Sequence, residues 1–350
     1  MLDYIIVGNG LAGIAFAETA ISKNKLIHVF DADNLTSSTN ISGGLYNPIV
    51  LKRFTDIWKS KEQIDISLPF YQSLQNKLNI QFLFPLKLYR KFSSVQEQNN
   101  WFFELDKPNL HEYMQPKLFQ DKLKHIKADY GFGEVNFTGY VNTKLLQDTY
   151  KKYLISQNSF TNEVFDYNSL KINDYYISYK GLNAKSIVFA EGFALHNNPY
   201  FNNLPLDGTK GELLLIYAPD LDLSFILKSS IFILPLGNGY FKVGATYNWT
   251  SKSNETTQQA KEELVNNINE TISCNYEIIN QFAGVRPTVK DRRPLVGRHN
   301  SHKNLYVLNG LGTRGVMLAP FLAHHLYNFI ENNVPLYKEI AVDRIYKKLY

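Results

Sequence analysis

The stretch Tyr4-Ile5-Ile6-Val7-Gly8-Asn9-Gly10-Leu11-Ala12-Gly13 decides the fold. Its first four residues are all apolar or aromatic, as in a short strand that is buried on both faces. Its last six residues have the spacing G-x-G-x-x-G. Ile14 to Lys23 then has the pattern of a helix, and Leu26 to Phe30 that of a second strand ending at Asp31. Strand, glycines, helix, second strand and terminal acid follow the order of a dinucleotide-binding βαβ unit.

Each marked position of this motif has a physical role in holding a dinucleotide. Gly8 permits the tight turn from strand to helix, Gly10 lets the backbone approach a pyrophosphate, and Gly13 lets helix and strand pack closely. The pyrophosphate lies at the helix N-terminus, where the helix dipole is positive. Asp31 would accept hydrogen bonds from a ribose with a free 2′-hydroxyl, which favours NAD or FAD over NADP. The motif alone does not choose between NAD and FAD.

The composition is that of a folded, mildly basic chain. The length of 350 residues corresponds to about two domains. Hydrophobic residues make up 44% and charged residues 20%, which excludes wholesale disorder. The formal net charge of +5 permits an anionic partner without requiring one. Cys274 is the only cysteine, which excludes an intrachain disulfide, a thiolate zinc site and an iron–sulfur cluster. Because no apolar run approaches the roughly 18–20 residues of a membrane span, we expect no membrane association. The single cysteine fits a reducing compartment, and we expect a cytoplasmic location and no metal ion.

Strand patterns typical of the same domain return further along the chain. Residues 184–192 and 305–310 are buried-strand patterns that end in glycine, and the second runs into another G-x-G-x-x-G at 310–315. Between them, residues 211–248 have the pattern of an antiparallel meander, with a hairpin turn at Gly237-Asn238-Gly239. The sequence therefore predicts an α/β fold in which a Rossmann-type domain is interleaved with a second, mostly antiparallel β-sheet domain.

Three blocks of sequence resemble one known family, the FAD-dependent amine oxidases of the D-amino-acid oxidase and glycine oxidase type. The first is the N-terminal motif ending at Asp31, and the second is Pro235 to Tyr247. The third and most specific block begins at Gly284 and reads G-x-R-P, then D-x-x-P-x-x-G, and is followed by the strand and glycines of Leu305 to Pro320. Within the family, Lys290-Asp291 and Gly297 to His299 are similar to glycine oxidase.

A second subfamily is similar through two glycine-containing loops, Gly43 to Pro48 and Gly310 to Gly315. It is the C-terminal oxidase of the bifunctional enzyme that matures methylaminomethyluridine in tRNA. We expect no counterpart of that enzyme's methyltransferase half in this chain. The family resemblance implies an FAD-binding domain of residues 1–50, 134–200 and 284–335, a substrate domain of 51–133 and 201–283, and a C-terminal tail of 336–350.

The resemblance also implies where the ligands bind. FAD is expected to be non-covalent and extended, with its flavin ring between Ser42 to Tyr46 and Gly312 to Met317. Arg286, the arginine of G-x-R-P, would hold the substrate carboxylate, since a planar guanidinium matches a carboxylate in two hydrogen bonds. The alternative for Arg286 is a salt bridge between the domains. Where glycine oxidases often have a substrate-binding tyrosine, this chain has Phe232, which weakens the case for a glycine-like substrate.

The predicted substrate-binding residues are Arg286, which is also the predicted catalytic residue, Tyr46 and Phe232. The predicted cofactor-binding residues are Gly8, Asn9, Gly10, Leu11, Ala12, Gly13, Asp31, Ala32, Ser42, Gly43, Gly44, Leu45, Gly192, Gly312, Thr313, Arg314, Gly315 and Val316.

Three functions follow from these residues. The favoured one is FAD-dependent oxidation of a C–N bond in an amino acid or secondary amine, giving an imine by hydride transfer to the flavin, with oxygen or another electron acceptor. The second is an oxidase acting on a modified tRNA base of the carboxymethylaminomethyl-uridine type, guided by basic runs such as Lys122 to Lys127 and Lys151-Lys152, although such runs are more often solvated helix faces. The third is a flavin-binding protein without amine turnover or an NAD-dependent dehydrogenase. The sequence does not identify the amine, the electron acceptor or the oligomeric state.

Overall fold

The structure, a computed structural model, describes residues 1–33, 37–120 and 123–349. The strands in these residues are β1 (Leu2–Val7), β2 (Ile27–Asp31), β3 (Leu45–Tyr46), β4 (Ile49–Val50), β5 (Thr55–Asp56), β6 (Leu83–Pro85), β7 (Leu88–Lys91), β8 (Met114–Phe119), β9 (Phe132–Val135), β10 (Gly139–Val141), β11 (Phe160–Asn162), β12 (Leu170–Ile172), β13 (Ile177–Tyr179), β14 (Leu182–Phe189), β15 (Thr209–Tyr217), β16 (Ile226–Lys228), β17 (Phe232–Gly237), β18 (Tyr240–Gly244), β19 (Glu277–Arg286), β20 (Leu295–Arg298) and β21 (Leu305–Asn309). The α-helices are α1 (Leu11–Ile21), α2 (Ser38–Ile41), α3 (Ser60–Leu78), α4 (Val95–Leu105), α5 (Thr143–Ser156), α6 (Gln258–Thr271), α7 (Gly315–Asn332) and α8 (Asp343–Leu349).

The first large sheet has a parallel centre in the order β11-β2-β1-β14-β21. Strands β13 and β12 extend it antiparallel beside the start of β14, and β20 pairs antiparallel with β21. Both faces are covered, because Tyr4 and Ile6 of β1 pack in one core cluster and Ile5 and Val7 in another. The apolar run at the start of the chain is therefore a central strand, as its pattern predicts.

The second large sheet has the order β19-β15-β18-β17-β16-β7-β9-β8 and is antiparallel except between β16 and β7. Helix α6 covers one face, where Leu264 and Ile268 pack with Leu214 and Val243. The opposite face carries Phe232, Leu213 and Lys242, since these alternate with the core residues along their strands. The predicted α/β fold with a Rossmann-type sheet and a mostly antiparallel sheet is confirmed.

The two sheets draw on interleaved parts of the chain. Strands β9 and β19 belong to the second sheet and extend past 133 and 283, the limits expected from the sequence. The predicted tail packs on the first sheet, where Ile340 and Val342 are fully buried and Ala341 pairs with Val296. The assignment of FAD binding and substrate binding to these two parts stays a prediction.

Helix α7 contains a proline whose missing hydrogen bond is replaced by a neighbouring helix. Pro320 has no N–H to donate to the carbonyl of Val316, one turn earlier. The hydroxyl of Tyr71 on α3 donates to that carbonyl at 2.8 Å, and the hydroxyl of Ser67 donates to the carbonyl of Met317 at 2.6 Å. These side chains let α7 begin at Gly315, four residues before the start near Ala319 that the sequence predicts. The N-terminus of α7 therefore lies at the end of the loop Gly310 to Gly315.

Candidate functional site

The turn between β1 and α1 requires glycine at two positions. Gly8 has a φ of +106°, and a Cβ there would lie 2.5 Å from the carbonyl oxygen of Ala190. A Cβ on Gly13 would lie 1.8 Å from the carbonyl oxygen of Gly8. Leu11 and Ala12 form the first turn of α1 between these glycines. The close packing predicted for the motif is therefore present in the structure.

Gly10 and Asn9 leave the N-terminus of α1 open to a ligand. A Cβ on Gly10 would meet only the Oγ1 of Thr39, at 3.1 Å. Asn9 is 1% exposed, and neither its Nδ2 nor its Oδ1 has a hydrogen-bond partner among the described residues. The first turn of α1 contains no acidic residue to occupy the positive end of the helix. A pyrophosphate would supply both a negative charge and hydrogen-bond acceptors here, so the residues present fit the phosphates of a dinucleotide.

Asp31 lies at the end of β2 beside this turn. The main-chain N–H of Asn9 donates to its carboxylate, while burial raises the pKa of Asp31 to about 6. The nearby ammonium of Lys151 works against this rise, and Lys151 itself lies 2.5 Å from Asp33. Lys151, proposed above for RNA contacts, therefore partly neutralises the acids at the expected ribose site. Lys152 is exposed, and Lys122 lies outside the described residues.

The loop after α2 contacts the second sheet at its expected flavin-binding residues. A Cβ on Gly43 would lie 2.8 Å from the ring of Phe232, and Gly44 has a φ of +65°. The side-chain hydroxyl of Ser42 lies 3.0 Å from that of Thr143, and Leu45 pairs with Tyr140 in a small three-stranded sheet. The structure therefore brings Phe232 together with the Ser42 to Leu45 loop.

Lys242 on β18 is a residue of this region that the sequence analysis missed. Its ammonium donates to the carbonyl oxygens of Ser42, at 3.0 Å, and of Ile41, at 3.4 Å. Burial lowers the pKa of Lys242 to about 8, and no carboxylate in the described residues opposes this. The signal in the sequence is one lysine in an otherwise apolar and aromatic strand, and it does not distinguish a surface position from a buried one.

Arg286 lies at the end of β19, and its guanidinium crosses the neighbouring strand at Gly211. A Cβ on Gly211 would lie 2.1 Å from a guanidinium nitrogen. Two nitrogens of Arg286 donate to the carbonyl of Thr246 at 3.3 and 3.4 Å, and the guanidinium carbon lies 4.6 Å from the centre of the Tyr247 ring. Burial lowers the pKa of Arg286, and Tyr247 is the one titratable group that raises it. The inter-domain salt bridge considered for Arg286 therefore has no acidic partner in the described ranges.

The loop Gly310 to Gly315 lies beside both the β1–α1 turn and Arg286. The N–H of Gly312 donates to the carbonyl of Pro287 at 3.0 Å, next to Arg286. A Cβ on Gly315 would lie 3.2 Å from the side chain of Leu11 on α1. The N-termini of α1 and α7 are therefore neighbours. In this loop Thr313 is exposed, Arg314 is half-buried and Val316 is buried.

The other predicted residues have separate surroundings. Gly192 has a φ of +57°, and its carbonyl accepts a hydrogen bond from Asn309 at 2.9 Å, while Ala32 simply follows Asp31. Tyr46 is buried against Gly139 and lines a groove of about 650 Å³ together with Leu83 and residues 85–87 and 134–138. That groove contains neither Phe232 nor Arg286, so the structure does not bring all three predicted substrate-binding residues together.

Throughout residues 1–33, 37–120 and 123–349, no helix has the length and apolar character needed to cross a membrane. In the same part of the chain, no group of three or more His, Cys, Asp or Glu side chains is arranged to hold a metal ion.

Comparison with known proteins identifies relatives over most of the chain. Residues 3–328 match the profile of the family DAO, described as FAD dependent oxidoreductase. A tRNA 5-methylaminomethyl-2-thiouridine biosynthesis bifunctional protein of Marinobacter nauticus is 22% identical over an alignment that covers 98% of this chain and 58% of that protein. Glycine oxidase of Bacillus subtilis is 26% identical over 43% of this chain and 42% of that enzyme. Both alignments cover less than two thirds of the curated relative.

The fold comparison agrees with the sequence comparison. Glycine oxidase from Geobacillus kaustophilus superposes with a TM-score of 0.79 over 96% of this chain and 96% of that chain. The sequence identity in this superposition is 16%, so the likeness concerns the fold.

Proposed function

The chain belongs to the DAO family of FAD-dependent oxidoreductases, and from this premise we propose that it oxidises a C–N bond of a small amine or amino acid. The observation that carries the proposal is the Arg286 guanidinium, which is half-buried, lies across Gly211, and has no acidic partner in the described residues. A buried charge needs a counter-ion, and the carboxylate of an amine substrate would supply it. The predicted family resemblance is confirmed; the particular amine remains part of the proposal.

The residues described above would hold FAD without a covalent bond. Gly8 to Gly13 and the N-terminus of α1 would bind the pyrophosphate, Asp31 the ribose, and the loops at Ser42 to Leu45 and Gly312 to Val316 the flavin end. When bound, FAD supplies the oxidising chemistry, taking up two electrons and the hydrogen as the amine becomes an imine. The side chains contribute position: Arg286 would fix the carboxylate, so that the carbon bonded to nitrogen has one orientation.

Phe232 and Lys242 lie on the face of the second sheet that contacts the segment Ile41 to Gly43. The Phe232 ring lies on Gly43 and has no hydroxyl with which to share a substrate carboxylate. Arg286 would therefore carry the carboxylate interaction without help from that position. The expected loss of kcat/KM on removing the Arg286 side chain is therefore larger.

An anaerobic screen tests the proposal. The FAD-loaded protein is mixed with a panel of amino acids and secondary amines, and bleaching of the flavin absorption identifies a substrate. Arg286→Ala should lower kcat/KM for that substrate by roughly 30- to 4,000-fold, the range for losing one member of a buried charge pair. Arg286→Lys should recover only part, because an ammonium cannot reproduce the planar fork of the guanidinium.

Gly211→Ala is the matched variant, since it displaces the guanidinium while leaving Arg286 in the chain. The added methyl would lie 2.1 Å from a guanidinium nitrogen, and the flexible arginine side chain would move away. Weaker turnover with normal FAD content is expected for both variants. If Arg286→Ala instead unfolds or loses FAD, Arg286 has a structural role and the proposal fails.

A second candidate substrate is a modified base of tRNA. Two observations favour it. The relative from Marinobacter nauticus is a tRNA biosynthesis protein. Tyr247, whose ring lies beside Arg286, is 60% exposed, and Trp249, two residues later, is 48% exposed. Exposed aromatic rings stack on bases. Binding of tRNA that weakens steeply with salt, together with flavin reduction by the modified RNA alone, would favour this candidate over a small amine. Membership of an FAD-dependent family does not support the NAD-dependent alternative.

A further inference from the structure

A second arginine lies near the expected substrate-binding site. The hydrogen bond from the N–H of Gly312 to the carbonyl of Pro287, at 3.0 Å, joins the two segments that carry these arginines. Arg286 directly precedes Pro287, and Arg314 follows Gly312 by two residues. Tyr247 lies near both guanidinium groups: its ring centre is 4.6 Å from that of Arg286, and its phenol influences the pKa of each. The two cations therefore border one region of the site.

Neither cation has a counter-ion in the described parts of the chain. Burial, followed by the charge of Arg292, lowers the pKa of Arg314 to about 10. No aspartate or glutamate offsets these effects at Arg314 or at Arg286. The acid nearest to Arg286 in sequence, Asp291, lies 3.4 Å from the guanidinium of Arg344. Helix α7 adds a partial positive charge, because Arg314 is its N-cap residue and its first turn has no acidic residue.

The charge balance indicates the substrate class. An amine with one carboxylate neutralises one guanidinium and leaves the other desolvated and unbalanced, which is costly. We propose that the substrate is an amine with two carboxylates, the first bound by Arg286 and the second by Arg314, supported by Arg292 and the N-terminus of α7. This inference rests on the proposed amine oxidation. It also reassigns Arg314, which the sequence predicts to bind the cofactor.

Matched pairs of amines test the second carboxylate. The FAD-loaded protein is reduced anaerobically with iminodiacetate and with N-methylglycine, and with each enantiomer of aspartate and of alanine. Within the pair that reduces the flavin, kcat/KM should favour the dicarboxylate by at least about 30-fold, the effect of one additional desolvated charge pair. The preference should reside mainly in KM, since the second carboxylate lies away from the reacting carbon.

Variants of Arg314 test whether this residue binds the second carboxylate. Arg314→Gln should lower the ratio of kcat/KM values, dicarboxylate over monocarboxylate, by at least about 30-fold, and Arg314→Lys should restore part of it. Arg298→Gln is the matched control, because Arg298 is an exposed arginine on β20 outside the site. It should leave the ratio unchanged.

Binding of non-reacting anions gives a readout that is independent of turnover. Malonate should perturb the flavin absorption and bind at least about 30-fold more tightly than acetate, and Arg314→Gln should remove this difference. Equal kcat/KM values within each pair, or a ratio that Arg314→Gln leaves intact, would overturn the inference. So would loss of FAD from Arg314→Gln, which would assign Arg314 to the cofactor, or reduction by modified RNA alone. If no amine reduces the flavin, the proposed function fails. The binding of malonate relative to acetate then tests separately whether the site binds two carboxylates.

Discussion

Four charged side chains around the candidate site share one property: burial disfavours the charged form of each. Burial raises the pKa of Asp31 to about 6 and lowers that of Lys242 to about 8 and that of Arg314 to about 10. It also lowers the pKa of Arg286. In every case the charged form is destabilised, so a ligand that pairs with the charge gains more binding free energy than it would at a solvated group.

Asp31 gives this property a measurable pH dependence. Ribose hydroxyls donate to the ionised carboxylate, so FAD binding should lower the pKa of Asp31 from its value of about 6 in the free protein. FAD binding then releases a proton at pH values below 6. The affinity for FAD should therefore fall by up to about tenfold per pH unit as the pH drops from 6 towards 5, and stay nearly constant above 7.

Titration of the apoprotein with FAD at several pH values, followed by flavin fluorescence, measures this slope. Asp31→Asn should bind FAD more weakly at pH 7 and show little dependence on pH. Asp33→Asn is the control: this exposed neighbour contributes only a small rise to the pKa of Asp31, so the slope should persist. An affinity of the parent protein that is flat from pH 5 to 7 would remove the ribose role from Asp31.

At the residue scale, the sequence could predict positions whose role depends on local spacing. The turn at Gly8 and Gly13 follows from the main chain alone. Arg286 could be identified because it belongs to a family motif, and its proposed role remains to be tested. Lys242 could not be predicted, because its environment depends on which carbonyls another segment presents. Gly211 was missed for the same reason: it makes room for a guanidinium 75 positions later in the chain.

At the scale of elements, two side-chain hydrogen bonds join helices α3 and α7, and one of them replaces a bond that α7 cannot make itself. Pro320 leaves the carbonyl of Val316 without its intrahelical donor, and the hydroxyl of Tyr71 supplies the replacement at 2.8 Å. Both Tyr71 and Val316 are buried, so water does not readily take the place of the hydroxyl. The N-terminal part of α7, which carries Arg314 and Gly315, therefore relies on a donor from α3.

A double-mutant cycle tests this dependence. Tyr71→Phe should lower the free energy of unfolding by about 1–3 kcal/mol, the cost of leaving a buried carbonyl without a partner. Pro320→Ala restores an N–H one turn after Val316, so Tyr71→Phe should cost less in that background. Denaturant unfolding measures both costs.

Tyr150→Phe is the matched control for this cycle, because Tyr150 is also a buried tyrosine but donates to Glu18. Its cost should be the same with and without Pro320→Ala. Additive effects of Tyr71→Phe and Pro320→Ala would show that the hydroxyl does not substitute for the missing N–H.

The sequence predicts elements well where the apolar pattern is strong. It predicts them poorly where contacts with other elements, and not the local pattern, stabilise them. The central strands β1, β14 and β21 each contain an uninterrupted apolar run and were predicted. Strand β19 was missed as a strand because it lies at the edge of its sheet and its first half, from Glu277, is largely polar. The start of α7 was placed too late because Pro320 normally marks a helix boundary, and the sequence does not show that Tyr71 compensates for it.

At the scale of the whole molecule, the site is assembled from segments that are distant in sequence. The N-terminal turn, the loop at Ser42 to Leu45, β18, β19 and the start of α7 all contribute, and contacts between them cross both large sheets. A ligand that touches all five segments should stabilise the entire fold and not only one domain. The rise in melting temperature on adding the ligand measures this stabilisation.

FAD at 100 times its dissociation constant should raise the free energy of unfolding by about 2.7 kcal/mol. With an unfolding entropy of about 2.1 cal/mol/K per residue, a chain of 350 residues should gain roughly 4 °C in melting temperature. Gly10→Val is the discriminating variant, because its side chain would occupy the approach to the pyrophosphate. Without FAD it should melt within about 2 °C of the parent, since a Cβ at Gly10 meets only Thr39 and the backbone there is extended. With FAD its melting temperature should not rise, whereas Asp31→Asn should keep part of the gain. A full rise in Gly10→Val would mean that the cofactor lies elsewhere than at the β1–α1 turn.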